Sequence, residues 1–221
     1  MRYVREHGYP APEIVSVDGT DMVLERATGS TMRVDLAHRP WMLLAHARLL
    51  ADLHRRLHRI SAPAWLPAIG AGGSVIHLDL HPENVLLHGN GALVIDWANA
   101  RAGDWADDVA QTIVILAAAD LGGWTKLALR AFLWAYLAGF DRAALRAHLP
   151  AAIERRMADP NLIIAGGEPP ATPLVSAALF SAEPPATPSP CDSQTRTSGI
   201  SSRSRAVIFG SAIRRSIAAG R

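Results

Sequence analysis

The feature that most constrains this chain is a pair of short apolar runs separated by a turn sequence. Residues 85–87 (Val-Leu-Leu) and 92–95 (Ala-Leu-Val-Ile) flank Gly89-Asn90-Gly91. Apolar, β-branched runs around such a turn predict an antiparallel β-hairpin. If the turn centres on Asn90, positions equidistant from it face each other, and a two-residue Asn90-Gly91 loop would move this register by one position.

The hairpin would bring several polar side chains together at its open end. Asn84 precedes the first strand and would stand opposite Asp96, which follows the second. Asp79 lies five residues before Asn84, and His81-Pro82 biases the intervening loop away from helix. Carboxylate and amide oxygens suit Mg²⁺, which completes its shell with water and phosphate oxygens. The pattern therefore predicts a magnesium site at this end of the hairpin.

Helical periodicity dominates the chain on both sides of the hairpin. From Pro40, apolar residues recur at intervals of three and four and predict a helix, which residues 61–63 (Ser-Ala-Pro) end. Helical patterns resume near Asp107 and continue to about Met157, with a break at residues 122–123 (Gly-Gly). The apolar positions of the first helix are Leu43, Ala47, Leu50, Leu53, Leu57 and Ile60.

The two ends of the chain differ from this helical body. Residues 13–26 contain two β-rich runs around Asp18-Gly19, a dipeptide typical of tight hairpins. A small β piece before a mostly helical body with an embedded hairpin is an α+β architecture. Residues 161–221 are rich in Pro, Ser and Arg, a composition that buries too little apolar surface to fold alone. We therefore predict a disordered tail there, with a basic amphipathic helix over residues 203–219 as the less favoured alternative.

Composition excludes several classes of protein. The formal net charge is only +2, and its basic residues are scattered, which argues against a nucleic-acid or anionic-membrane partner. The single cysteine, Cys191, cannot form a disulfide within the chain and fits a reducing compartment. The first residues show no apolar leader, and the longest apolar stretches, 109–119 and 128–140, are shorter than a membrane span. We expect a cytoplasmic protein with neither nucleic-acid nor membrane partner.

Three segments together resemble one known family. They are Val-Ile-His-Leu-Asp-Leu-His-Pro-Glu-Asn-Val-Leu-Leu at 75–87, Val-Ile-Asp-Trp at 94–97 and Gly-Asp-Trp-Ala-Asp-Asp-Val-Ala at 103–110. They look like the aminoglycoside phosphotransferase and choline kinase-like family, which shares the protein-kinase fold. Leu-Ala-Asp-Leu-His-Arg-Arg-Leu-His at 50–58 is typical of the same family, and Glu-Arg-Ala-Thr-Gly at 25–29 resembles its interlobe hinge.

The resemblance implies an α+β, protein-kinase-like fold. Residues 1–30 would be a remnant of the β-rich N-lobe with the hinge, and residues 31–160 a mostly helical C-lobe carrying the catalytic loop. The activity implied is an ATP-dependent transfer of the γ-phosphate to a hydroxyl of a small molecule, either an aminoglycoside-like antibiotic or a metabolite. ATP and Mg²⁺ are the implied cofactors.

The resemblance also implies a role for each matching residue. Asp79 would be the catalytic base, accepting the proton of the substrate hydroxyl, and His77 would brace the catalytic loop through a side-chain hydrogen bond. Asn84 and Asp96 would hold Mg²⁺ on the ATP phosphates. Asp108 would anchor the loop from the following helix by accepting backbone N–H bonds.

The adenine pocket is implied in the same way. Leu86 and Ile95 would form its floor, and the backbone near Glu25 and Ala27 would meet the adenine edge. A strand lysine and a glycine-rich loop should also grip the phosphates, but the only lysine, Lys126, follows the catalytic segment in a helical stretch. We therefore expect the chain to be an N-terminally truncated kinase with impaired activity.

Two rival functions remain open. One is a catalytically inactive kinase-fold remnant that acts as a binding module or has no function. The other is an iron oxygenase, since His77-x-Asp79 matches part of a two-histidine, one-carboxylate site. That site needs a further histidine, and His148, the main downstream candidate, lies in a helical region.

Four other residues are weaker candidates with simpler explanations. His54 and His58 are spaced to share one helix face, as metal ligands can be, but their Arg-rich surroundings favour a surface or core-edge role. Asp104 or Asp107 would cap the helix that begins near Asp108.

Overall fold

The chain folds into helices joined to small antiparallel sheets. The computed structural model describes residues 1–19, 21–89, 91–118 and 124–158. In chain order the elements are α1 (Arg2–Glu6), β1 (Ile14–Asp18), β2 (Asp21–Leu24), β3 (Ser30–Thr31), α2 (Met32–His38), a 3-10 turn (Pro40–Met42), α3 (Leu43–Leu57), β4 (Ser74–Ile76), β5 (Val85–His88), β6 (Gly91–Val94), β7 (Arg101–Gly103), α4 (Trp105–Ala118), α5 (Trp124–Tyr136) and α6 (Arg142–Met157). This mixture is the α+β architecture that the sequence predicts.

The strands form three separate antiparallel sheets within the described residues. β1 pairs with β2, β4 pairs with β7, and β5 lies between β3 and β6. In the first pair Asp18 faces Asp21, so the tight turn begins at Gly19, whose φ of +57° lies in the left-handed region that glycine adopts without strain. The predicted hairpin at Asp18-Gly19 is therefore confirmed.

The hairpin of β5 and β6 is also present, but its register differs from the predicted one. Val85 faces Val94 and His88 faces Gly91, which is one position away from the register predicted for a turn centred on Asn90. Both predicted registers were therefore wrong. Asn84 lies opposite Ile95 and not opposite Asp96, and the Ile95 N–H donates to the Asn84 carbonyl at 3.0 Å.

The core of the described residues lies between the long helices. On α3 the side chains of Leu50, Leu53 and Leu57 are fully buried, in line with the predicted apolar stripe. They belong to one cluster with Leu133 and Tyr136 of α5. Burying such side chains stabilises the fold by about 1.5–3 kcal/mol each. The loop between β4 and β5 packs against this cluster through Leu80.

Several element boundaries differ from the predicted ones. Two helices occupy the part of the predicted stretch from Trp124 to Met157, because α5 ends at Tyr136 and Asp141 caps α6 by accepting the Ala143 N–H at 2.8 Å. The break predicted at residues 122–123 and the tail at 161–221 lie outside the described residues. No described helix is long and apolar enough to cross a bilayer.

Candidate active site

The segment from His77 to Asn84, called the 77–84 loop below, connects β4 to β5. It leaves the strand sharply at Leu78, whose φ of 62° places a non-glycine residue in the left-handed region. Such a conformation is sparsely populated and persists only where the surroundings hold it. The interactions of this loop therefore decide where Asp79 lies.

Asp108, near the start of α4, holds the beginning of the loop. Its carboxylate accepts the backbone N–H of His77 at 3.0 Å and that of Leu78 at 2.6 Å. The same side chain lies 2.9 Å from Nε2 of His58, the residue directly after α3, and it is fully buried. One carboxylate on α4 thus joins the end of α3 to the strained turn of the loop.

The charge of Asp108 is stabilised despite its burial. Burial would raise the pKa of this carboxyl, but hydrogen bonding to the neighbouring histidine rings holds the pKa well below its usual range. The two backbone N–H groups act in the same direction because they also favour the anion. Asp108 is therefore an anchor that stays ionised at neutral pH.

His77 joins the loop to the end of β6. Its Nε2 lies 3.1 Å from the carbonyl oxygen of Ile95, and its Nδ1 lies 3.3 Å from the backbone N of Asp79. A carbonyl can only accept and a backbone N–H can only donate, so Nε2 carries the ring proton and Nδ1 accepts. Burial lowers the pKa of His77, which favours this neutral form.

Asp79 and Asn84 are brought together across the loop. The Asn84 amide nitrogen donates to the Asp79 carbonyl at 2.8 Å and to its carboxylate at 3.1 Å. Both partners are acceptors, so the amide orientation is fixed and its oxygen remains available for another ligand. The Asp79 side chain is one-fifth exposed, and His81 Nε2 lies 3.5 Å from its other oxygen. Asp79 is therefore held in place while remaining open to a substrate.

Asp96 lies at the same end of the hairpin. It directly follows Ile95, the residue opposite Asn84, and it is exposed. Its φ of 60° is left-handed, a conformation that Asp tolerates better than most residues. The carboxylate of Asp96 and the amide oxygen of Asn84 are both hard oxygen donors, the type of ligand that Mg²⁺ prefers.

The residues predicted to meet adenine lie around β3 and β5. Leu86 faces Thr31 of β3 and, like Ile95, is half-buried. Glu25 follows β2, where its N–H donates to the Glu13 carbonyl at 2.9 Å, and half-buried Ala27 lies between β2 and β3. The structure thus places Leu86 in a sheet with the strand that follows Ala27.

Two of the weaker candidates occupy positions that the sequence did not predict. His54 is completely buried and belongs to the core, not to the surface or the core edge that its Arg-rich neighbours suggested. Its ring lies 5.6 Å from that of Tyr136, and its Nδ1 lies 3.5 Å from the Asp108 carboxylate. His58 is nearly buried and contacts Asp108 directly.

Asp104 and Asp107 have different partners near the start of α4. Asp104 accepts the Ala106 N–H at 2.7 Å, which is a helix-capping contact. Asp107 instead joins α4 to α6, with His148 at 3.2 Å and Arg155 at 3.1 Å. His148 thus contacts Asp107 on α4, and no contact within the described residues joins it to His77 or Asp79, which leaves the iron-oxygenase alternative without support.

The two buried histidines predict how stability depends on pH. Burial lowers the pKa of His54 and of His77 below 6.5, so between pH 6.5 and their lowered values the unfolded chain binds more protons than the folded one. The contribution of these histidines to the free energy of unfolding should therefore be greatest above pH 6.5 and fall as the pH is lowered towards 5.5. Urea denaturation at several pH values measures this, and His77→Gln should flatten the dependence. Greater stability at pH 5.5 than at 7.5 would contradict the burial of neutral rings.

One comparison with known proteins gives a family match. Residues 62–148 match the family model described as a phosphotransferase enzyme family. The matched segment includes the 77–84 loop, Asp96 and Asp108, which are the groups that the geometry connects. This confirms the resemblance drawn from the sequence. A comparison with curated proteins gives no match.

Proposed function

We propose that this chain, whose residues 62–148 match the phosphotransferase enzyme family model, is an ATP-dependent phosphotransferase that acts on a hydroxyl of a small molecule. The observation that carries this proposal is the 77–84 loop. Asp79 is half-buried, fixed by Asn84 and flanked by a strained residue that Asp108 holds. An aminoglycoside-like antibiotic and a metabolite are both acceptors of this chemical class.

Asp79 is the proposed catalytic base. As the acceptor oxygen forms its bond to the γ-phosphorus, Asp79 takes the hydroxyl proton, and the bond between that phosphorus and the bridging oxygen of ADP breaks. The Asn84 N–H bond at 3.1 Å orients the carboxylate. His77 fixes the backbone of the same residue through the 3.3 Å bond to its N–H. The side chain is thus positioned before substrate arrives, which is how this reaction type gains most of its rate.

Asn84 and Asp96 are the proposed Mg²⁺ ligands. The amide oxygen of Asn84 is left free by its own N–H bonds to Asp79, and the Asp96 carboxylate is exposed. When bound, Mg²⁺ would neutralise charge on the β- and γ-phosphate oxygens. Leu86 and Ile95, with the backbone near Glu25 and Ala27, remain the proposed adenine contacts.

We expect the 221-residue polypeptide to turn over slowly. Its only lysine, Lys126, is exposed on α5, and no lysine precedes the 77–84 loop to pair with the phosphates. Such electrostatic contacts supply a large part of the barrier reduction in phosphoryl transfer. The alternative is a catalytically inactive kinase-fold remnant that acts as a binding module or has no function.

Nucleotide binding provides the direct test of the proposal. Millimolar ATP with Mg²⁺ should raise the melting temperature of the full chain by about 3 to 8 °C. EDTA should remove the shift, and Asp96→Ala should abolish it because a proposed metal ligand is lost. Asp52→Ala, at an exposed carboxylate on α3, is the matched control and should keep it.

The outcomes of this test are distinct. A shift that survives both EDTA and Asp96→Ala would contradict the proposed metal site, and no shift at all would contradict nucleotide binding. A magnesium-dependent shift without any ATP turnover would support nucleotide binding and contradict catalysis by this chain. Turnover that Asp79→Asn abolishes would support the enzyme.

A further inference from the structure

A second contact from α4 holds the far side of the 77–84 loop. Thr112 lies one turn after Asp108 and is fully buried. Its hydroxyl oxygen lies 2.8 Å from the carbonyl oxygen of Leu80, the residue after Asp79. Longer contacts of 3.3 Å reach the Asp108 carbonyl and Nε2 of His54. Asp79 therefore lies between two attachments to the same helix.

The hydrogen-bond directions follow from counting protons. A threonine hydroxyl has one proton, and the shortest contact assigns it to the Leu80 carbonyl, which can only accept. The same oxygen can then only accept from His54, so His54 Nε2 must carry the ring proton. Burial also lowers the pKa of His54, which favours a neutral ring with a single N–H.

The other nitrogen of His54 agrees with this assignment. Its Nδ1 is buried and has no hydrogen-bond partner within the part of the chain that the structure describes. It lies 3.5 Å from the Asp108 carboxylate, well beyond the roughly 2.7–2.9 Å of a charge-assisted bond. The hydrogen bonds to the Asp108 carboxylate therefore come from His58, at 2.9 Å, and from the two backbone donors, with His54 the more distant of the two rings that lower its pKa.

Four titratable groups lie around His54. His58 directly follows the helix that carries His54, Asp108 lies on α4, Tyr136 on α5 and His77 on the 77–84 loop. The His54, His58 and Asp108 side chains offer ligand atoms within 4.8 Å of one another, as a metal site would. Both oxygens of Asp108, however, already accept backbone N–H bonds. A chain of hydrogen bonds, each with one donated proton, therefore accounts for the contacts in this cluster without a cation.

We propose that Thr112 and His54 are positioning residues that form a relay from the His54 Nε2–H through the Thr112 hydroxyl to the Leu80 carbonyl. Asp108 restrains the backbone before Asp79, and this relay restrains the backbone after it. Residues flanked on both sides in this way lose the freedom to rotate away from the substrate position. The catalytic meaning of the relay rests on the proposed function, whereas its effect on the loop does not.

Matched substitutions at Thr112 test the relay in the full chain. Thr112→Val keeps the shape of the side chain but cannot donate, so backbone amides of the 77–84 loop should exchange with deuterium about 5- to 10-fold faster. Exchange in α6 should stay unchanged. Thr112→Ser retains the hydroxyl and should restore slow exchange. Equal loop exchange in wild type and Thr112→Val would overturn the proposal.

The protonation of His54 supplies a second readout that needs no substitution. Nitrogen-15 chemical shifts of the wild-type ring at pH 7.5 should show a protonated Nε2 and an unprotonated Nδ1. A proton on Nδ1 alone would reverse the relay and overturn it. Zn²⁺ added at equimolar concentration should leave these shifts unchanged, and a stoichiometric change would show a metal site instead.

Nucleotide binding separates this proposal from the proposed function. Faster loop exchange in Thr112→Val, restored in Thr112→Ser, supports the relay whether or not magnesium-ATP shifts the melting temperature. If the chain does turn over ATP, Thr112→Val should lower kcat with little change in the KM for ATP, because the relay positions Asp79 and does not touch the nucleotide. An equal loss in Thr112→Ser would overturn the assignment.

Discussion

Replacing Asp108 with alanine is expected to lower the free energy of unfolding by about 3 to 5 kcal/mol. The carboxylate is completely buried and accepts bonds from the backbone of His77 and Leu78 and from the ring of His58. Alanine would leave all three donors without this acceptor in a region that water does not reach. Urea denaturation followed by circular dichroism measures the loss.

Two further substitutions identify the source of that loss. Asp52→Ala removes a carboxylate that is half exposed and comes no nearer than 3.9 Å to Arg55. This substitution should lower the free energy of unfolding by less than about 1 kcal/mol. Asp108→Asn keeps the shape and one acceptor oxygen and should fall between the two. If Asp108→Ala cost no more than Asp52→Ala, the carboxylate would not be what holds the 77–84 loop.

The hairpin at the site shows how far the sequence reaches and where it stops. Two apolar runs around glycines predict the strands, because β-branched residues favour the pleated backbone and glycine favours the turn. The register depends on which residues form the turn, and Gly89, Asn90 and Gly91 all suit it. In the structure Val85 and Val94 face each other and both are fully buried. This register places Ile95, and not Asp96, opposite Asn84.

His54 shows a different limit. Its position one turn after Leu50 and three residues before Leu57 places it on the buried stripe of α3, so helical spacing carried a usable signal. The adjacent arginines outweighed that signal in the prediction. Its partners Asp108 and Thr112 lie more than 50 residues away, as the contact between Thr112 and His54 shows, and no local pattern specifies such contacts.

The shortest strands were not predicted because they too depend on contacts with residues far away in the sequence. β3 contains two residues and exists because Ser30 and Thr31 pair with Leu87 and Leu86. β7 similarly depends on pairing with β4. Local preference cannot define strands of this length, since their hydrogen bonds come entirely from a distant partner. The 77–84 loop was easier to predict because its polar residues recur in a recognisable spacing, in addition to the packing pattern around them.

The approach of β3 to β5 provides a prediction nearly as large as the one at Asp108. Gly29, just before β3, has a φ of +138°, and a Cβ there would lie well inside van der Waals contact with the Leu87 carbonyl oxygen. Gly29→Ala should therefore lower the free energy of unfolding by about 2 to 4 kcal/mol, since the backbone of β3 or β5 must move.

Gly70→Ala is the matched control for that substitution. Gly70 is also left-handed, with a φ of +58°, but a Cβ there meets nothing within 4 Å. Its cost should be about 1 kcal/mol, the price of the backbone conformation alone. The difference between the two variants in urea denaturation measures the close approach itself. Equal losses would mean that β3 moves away from Leu87 at little cost, and Leu86 would then lack the rigid neighbouring strand that its proposed contact with adenine requires.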